Sequence, residues 1–337
     1  MRNDAPFGGI PFIGIGDFRQ VAPVVKGSGC TPARLASVKS STLWPSFSVV
    51  SLEAPIRTAR DPAYTAFVDR IGEDYTSSTV SLDLLQRLAS LDECIEFLYP
   101  FHVLINPLAC LKRAFLTPKN VAVDDFNIEI LQRVPAEERA ELSLSHKSDS
   151  HPFPGLFYSA DSIKEDSEAP DEDISPDFLA LQTHNGVPPH ILRLKKGCIC
   201  SIMRNMSVRK GLVKNARVIV KNLHRHFIEI QVINNRTNTL GQTHCIPRIR
   251  FEFSPPYTSW TIQRLQYPLR LAYACTFNGC IGLTLDKTVI DQRTPVFAHG
   301  QLYTALSRVR SSQDSAVLFN DGEGPETANV VYRDLLL

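Results

Sequence analysis

Residues 113–133, RAFLTPKNVAVDDFNIEILQR, change their hydrophobic pattern halfway along. The first part is a short apolar run that ends at Thr117, which is the pattern of a buried strand. The second part has the spacing of an amphipathic helix, with its apolar stripe at Val123, Phe126, Ile130 and Leu131. A strand that leads directly into a helix predicts an α/β fold.

Other segments extend this pattern to both sides. We predict buried strands over 9–16 and 47–57, and two or three helices between 61 and 98, where Leu82, Leu85 and Leu88 recur at helical spacing. After residue 253, strands are predicted at 268–275, 287–292 and 315–319, with a helix at 300–311. Between them, residues 190–253 form short strands at close spacing, which indicates a small β-barrel. The simplest architecture is an α/β domain interrupted by a β-barrel.

Composition limits the class of protein. The chain has 337 residues, of which 43% are hydrophobic and 21% charged, so it is expected to fold. The net charge of +1 conceals two opposite regions: residues 161–177 hold eight acids and one Lys, whereas 191–226 hold ten Lys or Arg and no acid. We expect the polar, acidic segment 135–177 to be a surface loop. The basic run favours a phosphate-rich partner.

Cysteine usage and hydropathy bear on compartment and metals. The eight Cys include no CxxC, and Cys198 and Cys200 form a lone CxC, so we expect reduced thiols and no metal site. The sequence shows neither a signal peptide nor an apolar run long enough to cross a membrane. We therefore expect an intracellular, soluble protein with no membrane partner.

Polar groups follow two of the predicted strands. GDFRQ, at 16–20, comes directly after the first strand, and Arg57 ends the second. Because ligands bind at the carboxyl ends of strands in open α/β sheets, Gln20 and Arg57 are predicted to face one cleft.

Seven ordered blocks between residues 5 and 320 resemble the Pif family of superfamily 1B DNA helicases, and most closely its Helitron-associated members. The blocks are PFGGIPFIGIGDFRQVAPVV, LEAPIRTARDPAYTAFVDRIGE, AFLTPKNVAVDDFN, YSADSI, VPPHILRLKKG, MRNMSVRKGL and GQLYTALSRVRS.

The resemblance implies a domain plan. It predicts RecA-like motor domains with parallel sheets, the second interrupted by a small 2B barrel similar to a Src-homology barrel. The implied segments are a remnant of the first motor domain (1–58), a helical connector (59–110), the start of the second motor domain with the acidic loop (111–180), the barrel (181–255), the rest of the second domain (256–325) and a tail (326–337).

The resemblance also implies a nucleotide site. Gln20 would sense the γ-phosphate or its attacking water, Arg57 would reach the γ-phosphate, and Arg308 would act as the arginine finger. Asp17 and Gly282 complete the implied ATP-binding set. Taken singly, Gln20 is also compatible with a turn side chain, and Arg57 and Arg308 are each compatible with a surface ion pair.

The implied DNA contacts lie in the later blocks. Single-stranded DNA is the implied partner, bound through its backbone and without sequence specificity. The candidate residues are Thr117, Asn127, Lys195, Lys196, Arg204, Arg209, Lys210, Arg217, Thr276 and Asn278. Of these, Thr117 and Asn127 match positions that the family uses around the DNA strand or its supporting turn. A merely solvated positive face remains the alternative interpretation of the basic run.

Three departures from the family pattern bear on the expected activity. In the fifth motif, TFNGCIGLTL, Gly279, Ile281 and Leu283 replace a Lys and two Gln that would contact DNA, while the barrel reads GLVKNAR at a turn where the family tends to have Asn-Gly-Thr-Arg. The Walker A and B motifs that precede GDFRQ in the family are also missing, and the sequence contains no Gly-Lys dipeptide. ATP and Mg²⁺ serve the intact family, but this chain alone is expected to lack the Mg²⁺ site and not to hydrolyse ATP.

Three hypotheses remain open from the sequence. The chain is a piece of an ATP-dependent 5′-to-3′ DNA helicase for repair, recombination, replication, telomere maintenance or Helitron transposition, with its missing N-terminal half as a possible partner. Alternatively, it is a catalytically dead, single-stranded DNA-binding relic, or an α/β protein of unrelated function. The first hypothesis implies a nuclear or mitochondrial location.

Overall fold

The computed structural model of the chain describes residues 6–23, 25, 30–135, 155–164, 174–234 and 239–337. The expected acidic loop falls largely on 136–154 and 165–173, outside the described residues. The helices are α1 (Cys30–Leu35), α2 (Pro62–Glu73), α3 (Leu91–Leu98), α4 (Phe101–Leu104), α5 (Pro107–Cys110), α6 (Asn120–Arg133), α7 (Pro176–Leu181) and α8 (Gln301–Leu306).

The strands form parallel and antiparallel sheets. They are β1 (Thr79–Ser81), β2 (Gln86–Leu88), β3 (Arg113–Thr117), β4 (Leu156–Tyr158), β5 (Ala160–Ile163), β6 (Ile191–Arg193), β7 (Ile199–Ile202), β8 (Arg217–Leu223), β9 (Phe227–Asn234), β10 (Thr239–Pro247), β11 (Ile249–Phe253), β12 (Ile262–Gln266), β13 (Leu269–Leu271), β14 (Ala274–Thr276), β15 (Lys287–Asp291), β16 (Ser315–Leu318) and β17 (Glu326–Ala328).

The chain divides into two compact units. Unit 1 comprises residues 1–98, 112–119 and 275–337, and unit 2 comprises 99–111 and 120–274. Unit 1 holds a five-stranded sheet of order β14-β3-β15-β16-β2, in which β3, β15, β16 and β2 run parallel. Because β3 pairs with β15, far along the chain, the intervening residues are an insertion into this α/β fold. The predicted interrupted α/β architecture is therefore confirmed.

The core of unit 1 lies between this sheet and two helices. Tyr64, Phe67 and Ile71 of α2 pack with α8 and with strand residues such as Leu116 and Ile290. Asp61 directly precedes helix α2, and its carboxylate accepts a hydrogen bond from the Tyr64 N–H (2.9 Å) and caps the first turn.

Unit 2 is mainly antiparallel. Its largest sheet has the order β10-β9-β8-β7-β13, and a second sheet has the order β11-β12-β5. The strands predicted over 190–253 are confirmed, since β7 to β11 occupy those segments. The predicted helix after β3 is also confirmed as α6, whose apolar stripe is buried as the pattern indicated.

The strands predicted at 9–16 and 47–57 are wrong. Neither segment pairs with another strand, Gly9 ends a short 3-10 helix, and apolar side chains along both segments are exposed, with Ile15 at 91% and Leu52 at 90% of full exposure. An apolar run becomes a strand only where another strand supplies backbone hydrogen bonds, and no described strand pairs with either segment.

The helix predicted from Leu82, Leu85 and Leu88 is also wrong. Leu82 and Leu85 are buried in a turn between β1 and β2, and Leu88 ends β2. The i, i+3 spacing arose from a strand–turn–strand segment in which every third residue happens to face the core. The helices α2 and α3 on either side confirm the rest of that prediction.

Candidate functional site

The GDFRQ loop of unit 1 is seated on helix α8. The Asp17 carboxylate accepts a hydrogen bond from the Tyr303 hydroxyl (2.8 Å), and the Val21 N–H donates to Thr304 Oγ1 (3.0 Å). Gln20 donates from its amide to the same Asp17 carboxylate (3.3 Å). The loop therefore binds α8 through side chains of two successive helical residues.

Gly300 permits this close approach. It precedes α8 in a left-handed conformation (φ +70°), and a Cβ built there would lie 2.3 Å from the Arg19 carbonyl oxygen and 2.6 Å from that of Gln20. Only a residue without Cβ allows the two backbones to pack at this distance.

Arg19 ties the same loop to helix α2. Its guanidinium contacts Asp69 (2.8 Å) and Glu73 (3.3 Å), and it lies 4.8 Å from the centre of the Tyr303 ring. The loop is thus held from two helices, by ion pairs on one side and by hydrogen bonds on the other.

Charge in this cluster stays on Asp17 rather than on Tyr303. Burial raises the pKa of Asp17, but the hydrogen bonds from Tyr303 and Arg19 outweigh it, and the pKa lies below its ordinary value. Burial, followed by the neighbouring Asp17 carboxylate, raises the pKa of Tyr303. The hydroxyl therefore remains a donor to the ionised carboxylate.

His299 fixes the backbone of the loop beside them. Its Nε2–H donates to the Phe18 carbonyl oxygen (2.8 Å), and its Nδ1 accepts from the Tyr332 N–H (2.9 Å). These two partners require the neutral ring, and burial lowers the pKa of His299 in agreement.

Arg57 and Arg308 come together at the other end of α8. Arg57 donates to the Ser307 carbonyl oxygen and to Thr284 Oγ1 (3.1 Å), while Arg308 is buried and donates from Nε to the Thr304 carbonyl oxygen (2.8 Å). Burial and then the charge of Arg308 lower the pKa of Arg57. Two guanidinium groups in such proximity repel each other and would be stabilised by a bound anion.

The predicted ATP residues lie in two clusters along α8. Asp17 bonds Tyr303 and Gln20 packs against Gly300, while Arg57 bonds the Ser307 carbonyl oxygen and Arg308 that of Thr304. Gly282 lies on the loop after β14 with φ +82°, and nothing lies within 4 Å of the place where a Cβ would stand.

Three predicted DNA residues lie near the ends of β3 and β14. The Thr117 carbonyl oxygen accepts from the Phe277 N–H (3.1 Å), while Thr117 Oγ1 is buried without a partner among the described residues. Thr276 Oγ1 accepts from the Gly279 N–H (3.0 Å), and Asn278 accepts from the Gln301 amide (3.2 Å). Asn278 is thereby linked to the first residue of α8.

Asn127, in unit 2, makes internal contacts only. It is buried, its Oδ1 accepts from the N–H groups of Tyr273 (2.9 Å) and Ala274 (3.0 Å), and its Nδ2 donates to the Leu271 carbonyl oxygen (3.2 Å). The side chain is therefore engaged with the β13–β14 connection, and its role at the DNA strand stays a prediction. A supporting role for that turn remains.

The basic residues of unit 2 differ in what their side chains do. Lys195 donates to the carbonyl oxygens of Gln132 (3.0 Å) and Val134 (2.9 Å) at the end of α6, and Arg217 donates to that of Leu111. Burial lowers the pKa of Lys195. These two therefore have a structural role that the sequence did not reveal.

The remaining cations are exposed. Lys196 lies before β7, and Arg209 and Lys210 occupy a hairpin loop closed by the Ser207–Leu212 bridge. Arg204, on the stem of that hairpin, donates to the Arg250 carbonyl oxygen (2.7 Å). These four residues present positive charge to solvent, as a nucleic-acid surface requires.

Sequence analysis missed Tyr303 and Thr304. Both lie in the GQLYTALSRVRS block beside the predicted Arg308, but two polar residues inside a buried helix carry no signal of which loop they bind. Asp161 and Arg264 were missed as well; their ion pair (2.9 Å) joins residues far apart in the chain.

Metal ligands are not gathered anywhere in the described part of the chain, where no three His, Cys, Asp or Glu side chains lie close enough to hold an ion. No helix of the described residues has both the length and the apolarity to cross a bilayer. Seven cysteines are present as free thiols in these residues.

Comparison with known proteins gives consistent matches. A family model described as PIF1-like helicase matches residues 1–73, and one described as the 2B domain of DNA helicase Pif1 matches residues 177–223. The ATP-dependent DNA helicase PIF1 of Danio rerio is 25% identical over 324 residues, and that of Homo sapiens is 26% identical over 330. In both cases the match covers 94% of this chain and 42% of the relative.

Solved structures show the same fold. The Pif1 helicase from Candida albicans has a TM-score of 0.63 at 20% identity, with 99% of this chain and 69% of that chain covered. A Bacteroides Pif1 described as bound to single-stranded DNA has a TM-score of 0.59 at 18% identity, with 99% and 66% covered.

The parallel sheet of unit 1 and the antiparallel insertion define a RecA-like α/β protein with a 2B-type insertion, as the sequence predicted. Within that class, the two family models and the curated relatives agree on one assignment. The chain is similar to Pif1-like helicases and spans 42% of the length of the curated relatives given above.

Proposed function

We propose that the chain is a part of an ATP-dependent DNA helicase that moves 5′-to-3′ along single-stranded DNA. The observation that carries the proposal is the attachment of both predicted nucleotide clusters to one helix. The Thr304 hydroxyl accepts a hydrogen bond from the Val21 N–H, directly after GDFRQ. The Thr304 carbonyl oxygen accepts one from the Arg308 side chain. A change at one cluster would therefore be transmitted to the other through α8.

In this proposal Arg57 and Arg308 bind the terminal phosphate of ATP. Their mutual repulsion, and the absence of an acidic partner for either in the described residues, favour an anionic ligand there. Gln20 senses the nucleotide state beside Asp17, and Gly282 gives the neighbouring loop its turn.

The described residues do not fit Mg²⁺. Asp17 is the acidic residue of the predicted ATP set, and its carboxylate already accepts from Tyr303, Arg19 and Gln20. The sequence also contains no GxxxxGK[ST] loop to hold the other phosphates. We therefore expect this chain alone not to hydrolyse ATP, and an N-terminal helicase half would be its partner in activity.

DNA is bound in this proposal by Lys196, Arg204, Arg209 and Lys210 of unit 2 and by Thr117, Thr276 and Asn278 of unit 1. Lys195, Arg217 and Asn127 support the surfaces around them. A relative titled as bound to single-stranded DNA favours that ligand. Repair, recombination, replication, telomere maintenance and Helitron transposition, in the nucleus or mitochondrion, are the settings we propose.

A second function is favoured by the altered fifth motif. Ile281 occupies a position where the family has Gln, and it is 48% exposed, so an apolar side chain faces solvent at the expected DNA surface. In this alternative the chain is a single-stranded DNA-binding relic without catalysis.

The test is single-stranded DNA binding by the purified chain at several salt concentrations, with ATP hydrolysis followed in the same samples. We expect binding whose affinity falls linearly on a log–log plot against salt, and no hydrolysis. Hydrolysis that Arg308→Ala abolishes would contradict the expected inactivity and exclude the relic. Failure to bind single-stranded DNA would overturn both functions.

A further inference from the structure

His299 connects two segments of unit 1 that are far apart in the chain. Its Nε2 lies 2.8 Å from the Phe18 carbonyl oxygen in the GDFRQ loop, and its Nδ1 lies 2.9 Å from the Tyr332 backbone nitrogen. His299 is only 1% exposed, and its ring stacks on the Tyr332 ring with 5.5 Å between the ring centres. Beside it, the Gly300 N–H donates to the Val330 carbonyl oxygen (3.0 Å). Both nitrogens of a buried imidazole are therefore in use, one toward each segment.

These two partners allow only one protonation state of the ring. A carbonyl oxygen can only accept, so Nε2 carries a hydrogen, and a backbone N–H can only donate, so Nδ1 keeps its lone pair. An imidazolium ion has a hydrogen on both nitrogens, so protonation would place two donors against each other at Tyr332. The bond to Phe18 would survive protonation, whereas the bond to Tyr332 would be lost.

Residues 330–336, hereafter the 330–336 segment, have weaker polar contacts beyond that bond. Asp334 pairs with Arg34, but both side chains are about half exposed, and exposed ion pairs contribute little to stability. Leu335 is buried and adds an apolar contact. The buried bond to the imidazole is therefore the polar attachment whose loss affects this segment most.

The surroundings of His299 do not favour a charged ring. Among the residues that the structure describes, no carboxylate is hydrogen-bonded to it. The charged groups of the neighbouring elements have other partners, which are Tyr303 for Asp17 (2.8 Å), Asp69 for Arg19 (2.8 Å), the Leu336 carbonyl oxygen for Lys39 and the Tyr75 ring for Arg333 (5.3 Å). Burial lowers the pKa of His299, and the bond to Phe18 offsets this only in part.

From this geometry we propose that protonation of His299 releases the 330–336 segment, while the GDFRQ loop stays bound to the ring. One histidine thereby makes the attachment of this segment dependent on pH. The inference is independent of the proposed function, because neither a nucleotide nor DNA takes part in it.

The sign of the pH dependence follows from the two states of the ring. Release exposes His299 to water, where the ordinary imidazole pKa is about 6.5, whereas the pKa of the attached state is lower. Above about pH 6.5 the ring is neutral in both states, and the equilibrium constant for release does not change with pH. Between that value and the lowered pKa, release takes up one proton, so the constant rises by up to about tenfold for each pH unit of acidification.

The sequence makes this effect easy to isolate. Of the nine histidines, His299 is the one in unit 1, since the other eight lie within 99–111 or 120–274. Ordinary carboxylates titrate near about pH 4 and lysines above about pH 10. A pH dependence between about pH 5 and 7.5 that is confined to the 330–336 segment is therefore expected from this ring.

The first measurement is hydrogen exchange of the wild-type chain across this pH range, with peptide-level mass spectrometry and correction for the intrinsic pH dependence of exchange. We expect protection of the 330–336 segment to fall by up to about tenfold per pH unit below about pH 6.5, while protection of β15 and β16 stays constant. Constant protection of the segment would overturn the proposal. An equal loss in β15 and β16 would overturn it too, because the whole unit would then be unfolding.

The matched variant is His299→Gln, which offers an amide donor and a carbonyl acceptor but does not titrate. We expect its 330–336 segment to show the same protection at both ends of the pH range. The control His226→Gln removes an exposed histidine of unit 2 and should keep the wild-type pH dependence. A wild-type pH dependence that persists in His299→Gln, or disappears in His226→Gln, would contradict the assignment to His299.

An NMR titration of the wild-type chain decides the matter if His299→Gln does not fold. We expect the His299 ring and the Tyr332 N–H resonance to titrate with one midpoint, below the ordinary imidazole pKa. A Tyr332 N–H that does not follow the ring would show that protonation leaves the segment attached, and the proposal would be rejected.

Discussion

Gly300 occupies a left-handed backbone conformation directly against the carbonyl groups of Arg19 and Gln20. Two effects disfavour a side chain at this position: the left-handed backbone angles are strained for a residue with a Cβ, and the Cβ would clash with the GDFRQ loop. Gly282 offers a matched case, since its φ of +82° is similar but nothing lies within 4 Å of its Cβ position.

We expect Gly282→Ala to lower the free energy of unfolding by about 1–2 kcal/mol, because a residue with a Cβ is strained in the left-handed conformation. Gly300→Ala should lose clearly more, because the GDFRQ loop must also move. Urea unfolding of the two variants measures the difference. Equal losses would show that the loop does not rest on Gly300 in solution.

The sequence indicated which block contained these residues but not their contacts. GDFRQ and GQLYTALSRVRS were predicted as functional from the order of motifs, yet the bonds from Tyr303 to Asp17 and from Val21 to Thr304 join residues more than 280 positions apart. Spacing within a motif carries no information about such pairs, because they exist only after both segments have packed.

At the scale of elements, one buried ion pair joins two strands and a helix. Asp161 of β5 and Arg264 of β12 lie opposite each other in the antiparallel register, and Arg264 also donates to the Leu179 carbonyl oxygen of α7 (3.0 Å). Burial raises the pKa of Asp161, but its bonds to Arg264 and Ser159 outweigh burial and hold the pKa below its ordinary value.

We expect Arg264→Leu to destabilise the chain by about 3–5 kcal/mol, because the buried Asp161 carboxylate loses its guanidinium partner and keeps only its contacts to Ser159 and His190. The exposed pair Arg133–Glu129 is the control, and Arg133→Gln should cost about 0.3–0.5 kcal/mol. Equal effects in urea unfolding would show that the Asp161 site is open to water.

The Asp161–Arg264 pair also makes the free energy of unfolding depend on pH. The folded pKa of Asp161 is depressed, so its stabilisation is complete above the ordinary Asp pKa and is lost as pH falls through the depressed value. Asp161→Asn should therefore flatten the acid side of the stability–pH curve. An unchanged acid side would assign that loss to other carboxylates.

At the scale of the whole molecule, backbone hydrogen bonding is uneven. None of the N–H groups of residues 11–16 and 48–56 donates to a described residue, whereas β3, β15 and β16 lie within the paired, buried sheet. The two kinds of segment are similarly apolar in sequence.

We predict that amides of 11–16 and 48–56 exchange with deuterium orders of magnitude faster than those of β3, β15 and β16. Hydrogen exchange with peptide-level mass spectrometry measures this. Strong protection of 11–16 would mean that these residues pair as a strand in solution, and the sequence prediction would then be restored.

The sequence by itself determined the fold class, the interrupted order of the α/β unit and the resemblance to Pif-type helicases, because apolar periodicity and ordered motifs are local properties of the chain. It did not determine whether residues 9–16 and 47–57 become strands, because a strand exists only with a partner. Nor did it distinguish Lys195, which caps α6, from exposed Lys196 beside it. Packing decides which polar groups bond within the protein and which face a ligand. Only the tertiary structure brings donors and acceptors from distant segments within hydrogen-bonding distance.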